Sequence, residues 1–229
     1  MRVLAVRHHE TDDAGFIADA FRADGASVTD MLLTDGVRLP DPSDFDHLVV
    51  LGAISSVNDQ HPWIAAELDW LRRADAAGVP VLGICFGAQA LCVASGGQVE
   101  RAPREQIGWV TVETADPGLI PAGPWLEFHY DQCLLPAAAR VLARDDLCVQ
   151  AYSIGRHLGV QFHPEVDGEQ LQRWLAMGGG ELVAAAGVDA TEFLARTVRE
   201  EPEASTRARR LVRAARELAR PATARGQHV

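Results

Sequence analysis

The sequence predicts an α/β protein: an open, mostly parallel sheet with helices on both faces, antiparallel strand additions and C-terminal helices. Three observations carry this reading. Apolar runs bounded by turn residues alternate with helical patterns over the first hundred residues. Two of those runs, "HLVVLG" and "VPVLGIC", are apolar almost throughout, as strands covered on both faces require. After Gly97 the text changes to short strand-like pieces separated by Pro, Gly and Asp.

Taken in order, "RVLAVR" reads as a first buried strand, and Ala14 to Ala23 as an amphipathic helix stopped by Asp24-Gly25. "SVTDMLL" and "HLVVLG" are the next strands. Pro62 sits near the first turn of a helix that runs to about Ala77, with Gly78 beyond it. "VPVLGIC" is a strand, and "FGAQALCVAS" a helix closed by Gly96-Gly97. This β-α-β-α order demands a parallel sheet. "WVTVET", "WLEFHYD", "ARVLARDD", "CVQAYSI" and "HLGVQFH" then read as antiparallel additions to the sheet followed by a return to its core. Helical pattern resumes at Gly168 and is broken by the glycines at 178–180. From Glu203 to Arg220, Leu211, Val212, Ala215 and Leu218 fall on one helix face, expected to pack on the domain or on a partner. The closing "PATARGQHV" reads as a frayed end. The predicted division is one domain over 1–199 and a helical extension over 200–229.

The 229 residues are 48% apolar, enough for a sizeable core. A net charge of −11 argues against nucleic acid and anionic membranes as partners and fits small-molecule substrates. No apolar run approaches a membrane span, and "MRVLAVRHHE" turns polar too soon for a secretory signal. Four cysteines without CxxC or Cys/His metal spacing point to a reducing, cytoplasmic setting with no bound metal and no cofactor.

Cys85 stands apart from the other thiols. It lies where a buried strand turns into a helix, between Gly83 and Gly87. In open α/β sheets, sites form at the carboxyl ends of strands. A residue at such a sharp turn is thrust into the crevice, and the helix N-terminus behind it favours a thiolate. The Phe86 N–H is left to bind an oxyanion. A Gly-flanked core cysteine is the competing reading. A nucleophilic thiol needs a base and the base an orienter. "GVQFHPEV" offers both: His163 at the end of a buried strand, and Glu165 two residues on, within reach of the other ring nitrogen.

Together, "GICFGAQ" and "QFHPE" make the chain resemble a class I glutamine amidotransferase of the Cys-His-Glu triad type. The resemblance spans roughly Val3 to Leu175. It is most similar to the amidotransferase domain of GMP synthetase, and "VRHHE", "EQIGW" and "FHYD" resemble the stand-alone proteins of that group. The resemblance implies hydrolysis of the glutamine side-chain amide through a glutamyl thioester on Cys85, with His163 as acid and base and Glu165 orienting it. The ammonia would pass to a separate synthetase or other acceptor. It also implies that Gln89, His129 and Asp131 lie at the glutamine pocket.

One segment departs from the family. Its Gly-Gly-Pro-like loop after the third strand, which would supply the second oxyanion donor, reads here Gly52-Ala53-Ile54-Ser55. Ala53 makes positive φ costly, so a hole incompletely formed at rest is expected; Ser55 and Ser56 could substitute as donors, but plain loop residues are the stronger reading for both. Three other readings stay open: hydrolysis of a different γ-glutamyl bond, a catalytically weak regulatory relative, and another α/β family that places a cysteine at an elbow.

Overall fold

A computed structural model describes residues 1–220; the stretch read as a frayed end lies outside the described residues. Its centre is an eight-stranded sheet. Strands β1 (Arg2–Arg7), β2 (Ser27–Leu32), β3 (His47–Val50) and β4 (Val81–Ile84) run parallel. The late strand β10 (His157–Val160) returns beside β4, also parallel. Beyond β10 the sheet continues antiparallel through β9 (Val149–Ile154), β8 (Arg140–Arg144) and the two-residue β6 (Glu113–Thr114), giving the order β2-β1-β3-β4-β10-β9-β8-β6.

The remaining strands differ from expectation. β5 (Gln98–Val110) and β7 (Trp125–Leu134) do not join this sheet; they pair as a separate two-stranded ribbon. Short apolar pieces in the text conceal a 13-residue strand, because β5 alternates exposed Glu and Arg with few buried positions. A two-stranded ribbon has one face to cover, so its apolar signal is weak.

Both sheet faces are covered. On one, α1 (Gly15–Ala23) and α6 (Ala190–Ala219) bury Ile17, Phe21, Leu211 and Val212 against Val3, Val49 and Leu82. On the other, α2 (Pro62–Ala76) and α3 (Phe86–Ala94) bury Trp70, Leu71 and Phe86 against Leu4, Val50 and Val81. A third cluster, Leu126, Val166, Leu171, Val183 and Phe193, ties β7 to α4 (Gly168–Trp174), α5 (Gly180–Ala185) and α6.

The C-terminal helix begins earlier than its apolar spacing indicates and runs for 30 residues across the expected boundary at residue 200, with Pro202 inside it. Proline lacks the N–H that would bond the preceding turn and ordinarily breaks a helix. Here buried Phe193 and Thr197 hold the turns before it, and buried Ala204, Ala208 and Leu211 those after it. The predicted face of Leu211, Val212, Ala215 and Leu218 is buried against the domain, and Arg216 pairs with Asp24 at the end of α1.

Candidate active site

Cys85 is the only non-glycine among the described residues with positive φ, at φ 50° and ψ −108°. That left-handed backbone costs an L-residue energy and persists where the surroundings over-determine it. Here they do. The Cys85 N–H donates to the Val160 carbonyl (2.8 Å), locking the end of β4 to the end of β10. The glycines on either side admit close backbone approach: a Cβ on Gly83 would stand 2.5 Å from the Gly87 carbonyl oxygen, and one on Gly87 2.0 Å from that of Val50. Glycine therefore does two jobs at this elbow, letting the chain fold back on itself and letting α3 start against β3.

His163 follows β10 and is held from the ribbon, its N–H donating to the Leu126 carbonyl at 2.8 Å. Its ring Nδ1 lies 2.8 Å from Glu165 Oε1, with both side chains buried. Glu165 is itself anchored by α1: the Phe16 N–H donates to its carbonyl (3.1 Å), and a Cβ on Gly15 would collide with that same oxygen. Burial alone would lower the proton affinity of His163. The adjacent Glu165 carboxylate and the Cys85 sulfur outweigh it and hold the imidazole well above its usual range. With Nδ1 on Glu165, Nε2 is left for the thiol.

A cleft of about 550 Å³ opens over Cys85. His163, Gly52, Ala53, Phe86, Gln89, His129 and Asp131 all border it, so every predicted site residue except Glu165 reaches the cleft, and Glu165 stands behind His163. A Cβ on Gly52 would lie 3.0 Å from His163 Cε1 and 3.8 Å from Cys85 Cβ, which puts the loop after β3 directly against the pair. The Phe86 N–H, first in α3, has no intrahelical acceptor.

Some predicted contacts take a different form. Both ring nitrogens of His129 are engaged, Nδ1 with the Asp131 carbonyl (3.0 Å) and Nε2 with Gln106 Oε1 (3.0 Å), so neither is free for a ligand. Ser56, weighed as a substitute oxyanion donor against the stronger reading as a loop residue, donates to the Asp131 carboxylate at 2.6 Å. Ala53 does not take up the costly positive φ, which among the described non-glycine residues is confined to Cys85.

Several site residues escaped sequence reasoning. The Trp174 ring packs edge-on against His163 with centroids 5.0 Å apart, and its Nε1 donates to Asp12 at 2.8 Å. Burial raises the Asp12 carboxyl above its usual range despite that hydrogen bond. Arg101 borders the cleft, stacked 4.5 Å over Tyr130. The polar run "HHETDD" directly after a buried strand was the available signal for Asp12, since strand ends are where such folds place sites. Among the described residues, no group of three or more His, Cys, Asp or Glu could hold a metal ion.

Residues 15–177 match the family model for glutamine amidotransferase class-I, well over half of the chain. The chain belongs to this family. The class I amidotransferase fold accounts for nearly all of it: a glutamine amidotransferase from Thermotoga maritima superposes with a TM-score of 0.85 at 28% identity, covering 94% of this chain and 98% of that one. A glutamine amidotransferase from Methylobacillus flagellatus gives a TM-score of 0.87 at 24% identity over 100% and 98%, a likeness of fold. Among curated relatives, the glutamine-hydrolysing GMP synthase of Aeropyrum pernix is 38% identical over 153 residues in an alignment that covers 58% of this chain and 30% of that protein. Its counterpart in Yersinia pestis is 37% identical over 107 residues in an alignment that covers 39% of this chain and 20% of that one. This amidotransferase chain thus spans a third or less of the curated relatives it matches. Among its described residues, no helix is long and apolar enough to cross a membrane.

Proposed function

We propose that this amidotransferase hydrolyses the side-chain amide of glutamine at Cys85, with His163 and Glu165 completing the triad, and delivers the ammonia to a separate acceptor enzyme. The observation that carries the reading is the buried 2.8 Å contact between His163 and Glu165 beside a cysteine in strained backbone at a helix N-terminus. The chemistry follows from that arrangement. The Cys85 sulfur attacks the γ-carbonyl carbon, and the oxygen that gains charge is met by the N–H groups of Phe86 and Ala53, with Gly52 giving the loop its close approach. His163 gives its Nε2 proton to the departing nitrogen, ammonia leaves, and a glutamyl thioester remains. Water then attacks the thioester and yields its proton to His163. Glutamate departs, and the sulfur leaves as thiolate beside the recharged imidazolium. Glu165 keeps the ring oriented and balances its charge throughout. Gln89 and Asp131 are assigned to the substrate; His129, with its nitrogens engaged, supports the Asp131 backbone. The GMP synthase relatives carry their matching segment within much longer chains, which supports an acceptor activity outside the 229 residues. Unpaired thiols fit a cytoplasmic enzyme.

The test is labelling with a glutamine-mimicking diazo-ketone. One equivalent of mass is expected, at Cys85. Modification at Cys92, Cys133 or Cys148 would sink the assignment. Cys92 and Cys133 are buried, and burial raises the Cys148 thiol far above its usual range.

A further inference from the structure

One buried pair of ionisable groups has no place in the triad. His8 follows β1, and Glu67 lies on the buried face of α2 among Ile64, Trp70, Leu71 and Ala74. Both side chains are almost wholly inaccessible. A carboxylate on an otherwise apolar helix face is costly unless it is paired. Its partner is the His8 Nε2, at 3.0 and 3.2 Å from the two carboxylate oxygens. The other ring nitrogen, Nδ1, donates to the carbonyl of Gly52 at 2.8 Å. The ring is caged by Trp63 and Phe86, each with its centroid 4.9 Å away.

The Gly52 carbonyl belongs to the peptide whose other end is the Ala53 N–H. In a trans peptide the C=O and N–H point in opposite directions. A carbonyl drawn into the cluster of His8, Trp63 and Phe86 sends the Ala53 N–H the other way, and Ala53 borders the cleft together with Cys85. The preceding peptide is held as well, because the Leu51 carbonyl accepts from the Gly87 N–H at 3.1 Å. We propose that His8, braced by Glu67, is a positioning residue that latches the Gly52-Ala53 peptide in the orientation where its N–H serves the oxyanion. The inference rests on the triad reading above.

Both ring nitrogens face acceptors, so the latch needs two ring protons, and an imidazolium paired with the Glu67 carboxylate supplies them. Burial would lower the proton affinity of His8, but the Glu67 charge, its hydrogen bond and that of the Gly52 carbonyl, with Asp12 adding a little, leave it raised. The latch also explains how a loop with alanine in place of glycine works. Orientation comes from a side chain that pins the carbonyl, and Ala53 keeps ordinary backbone.

Steady-state glutamine hydrolysis is to be measured for the wild type, His8→Leu and His8→Asn, alongside the rate at which iodoacetamide alkylates Cys85. Alkylation is a displacement at saturated carbon and builds no oxyanion. His8→Leu is expected to lower kcat by about 100-fold, the scale of one lost oxyanion donor, with KM changed less than about 3-fold and alkylation within about 2-fold. His8→Asn, whose amide nitrogen can stand near the Nδ1 position, should recover most of kcat. Three results overturn the latch: kcat unchanged in His8→Leu, kcat and alkylation falling together, or His8→Asn no better than His8→Leu. A wild type that does not hydrolyse glutamine overturns the substrate reading instead. Nitrogen-15 spectra of the imidazoles then decide the latch. A protonated His8 Nδ1, with the Ala53 amide displaced in His8→Leu, supports it; an unprotonated Nδ1 overturns it.

Discussion

Cys85 shows how one residue's backbone sets its chemistry. Its positive φ turns the side chain out of the strand line and over the cleft, and the hydrogen bond to Val160 keeps it there. His163 is fixed just as firmly, between the Leu126 carbonyl at its amide and Glu165 at its ring. In the proposed mechanism the roles of the three differ, and so should their substitutions. Cys85→Ala and His163→Ala remove bond-making groups, while Glu165→Gln removes only the charge that orients and steadies the ring. Glu165→Gln is expected to retain roughly 10- to 100-fold more kcat than either alanine variant, as with the acid of other triads. Steady-state glutaminase assays on variants with wild-type circular dichroism check this. An equal, complete loss in all three would remove the division of labour.

At the scale of elements, the turn from β4 into α3 works only because two Cβ atoms are missing. A methyl at Gly87 would meet the Val50 carbonyl oxygen at 2.0 Å, and neither strand nor helix can retreat without repacking Trp70, Phe86 and Leu91. Gly87→Ala should therefore cost at least about 1 to 3 kcal/mol of stability, the range for overpacking, measured by urea unfolding. A change under about 0.5 kcal/mol would show that the elbow has slack. The helix α6 makes the opposite point. Its charged, alanine-rich text has few large apolar residues, yet Leu211 is fully buried beside Ile17 and Phe21 of α1. Leu211→Ala should cost about 2 to 5 kcal/mol, and amides from Ala208 to Leu218 should exchange slowly. Uniform fast exchange there would mean that the helix does not dock in solution.

Across the whole molecule, the sheet order explains why residues more than 70 positions apart share one cleft. β3, β4 and β10 are neighbours running the same way, so Gly52, Cys85 and His163 all emerge at their carboxyl ends. Closing the opposite end leaves a buried histidine at the start of β3. His47 packs 5.1 Å from the Phe21 ring, and its Nε2 has no hydrogen-bond partner among the described residues. Burial, with His157 and Arg216 adding to it, pushes His47 down to about 3. Its unfolded value is about 6.5, so the unfolded chain takes up a proton that the folded chain refuses. The stability it contributes is fully present above about pH 6.5 and is lost as pH falls, by roughly 1.4 kcal/mol per pH unit, down to about pH 3. Urea unfolding at pH 7 and at pH 4.5 should show His47→Leu losing roughly 2 to 3 kcal/mol less than the wild type on acidification. Equal losses would mean that His47 finds a proton partner when folded.

The sequence by itself determined the parallel half of the sheet, the elbow at Cys85 and the pairing of His163 with Glu165, because each is written locally. Continuous apolar runs mark strands covered on both faces, glycines mark close backbone approach, and two residues of separation put an imidazole beside a carboxylate. What only the tertiary structure decided lies between segments far apart in the chain. The ribbon of β5 and β7, the run of α6 through Pro202, the approach of Trp174 to His163 and the hold of His8 and Glu67 on Gly52 all depend on contacts between separate elements or on packing that overrides local propensity. The Gly52 loop shows the difference most directly. Read as text, alanine at position 53 weighs against a flipped loop, because φ preference is a property of the residue. Folded, the peptide's orientation is a property of what its carbonyl meets, and that partner arrives from the turn after another strand.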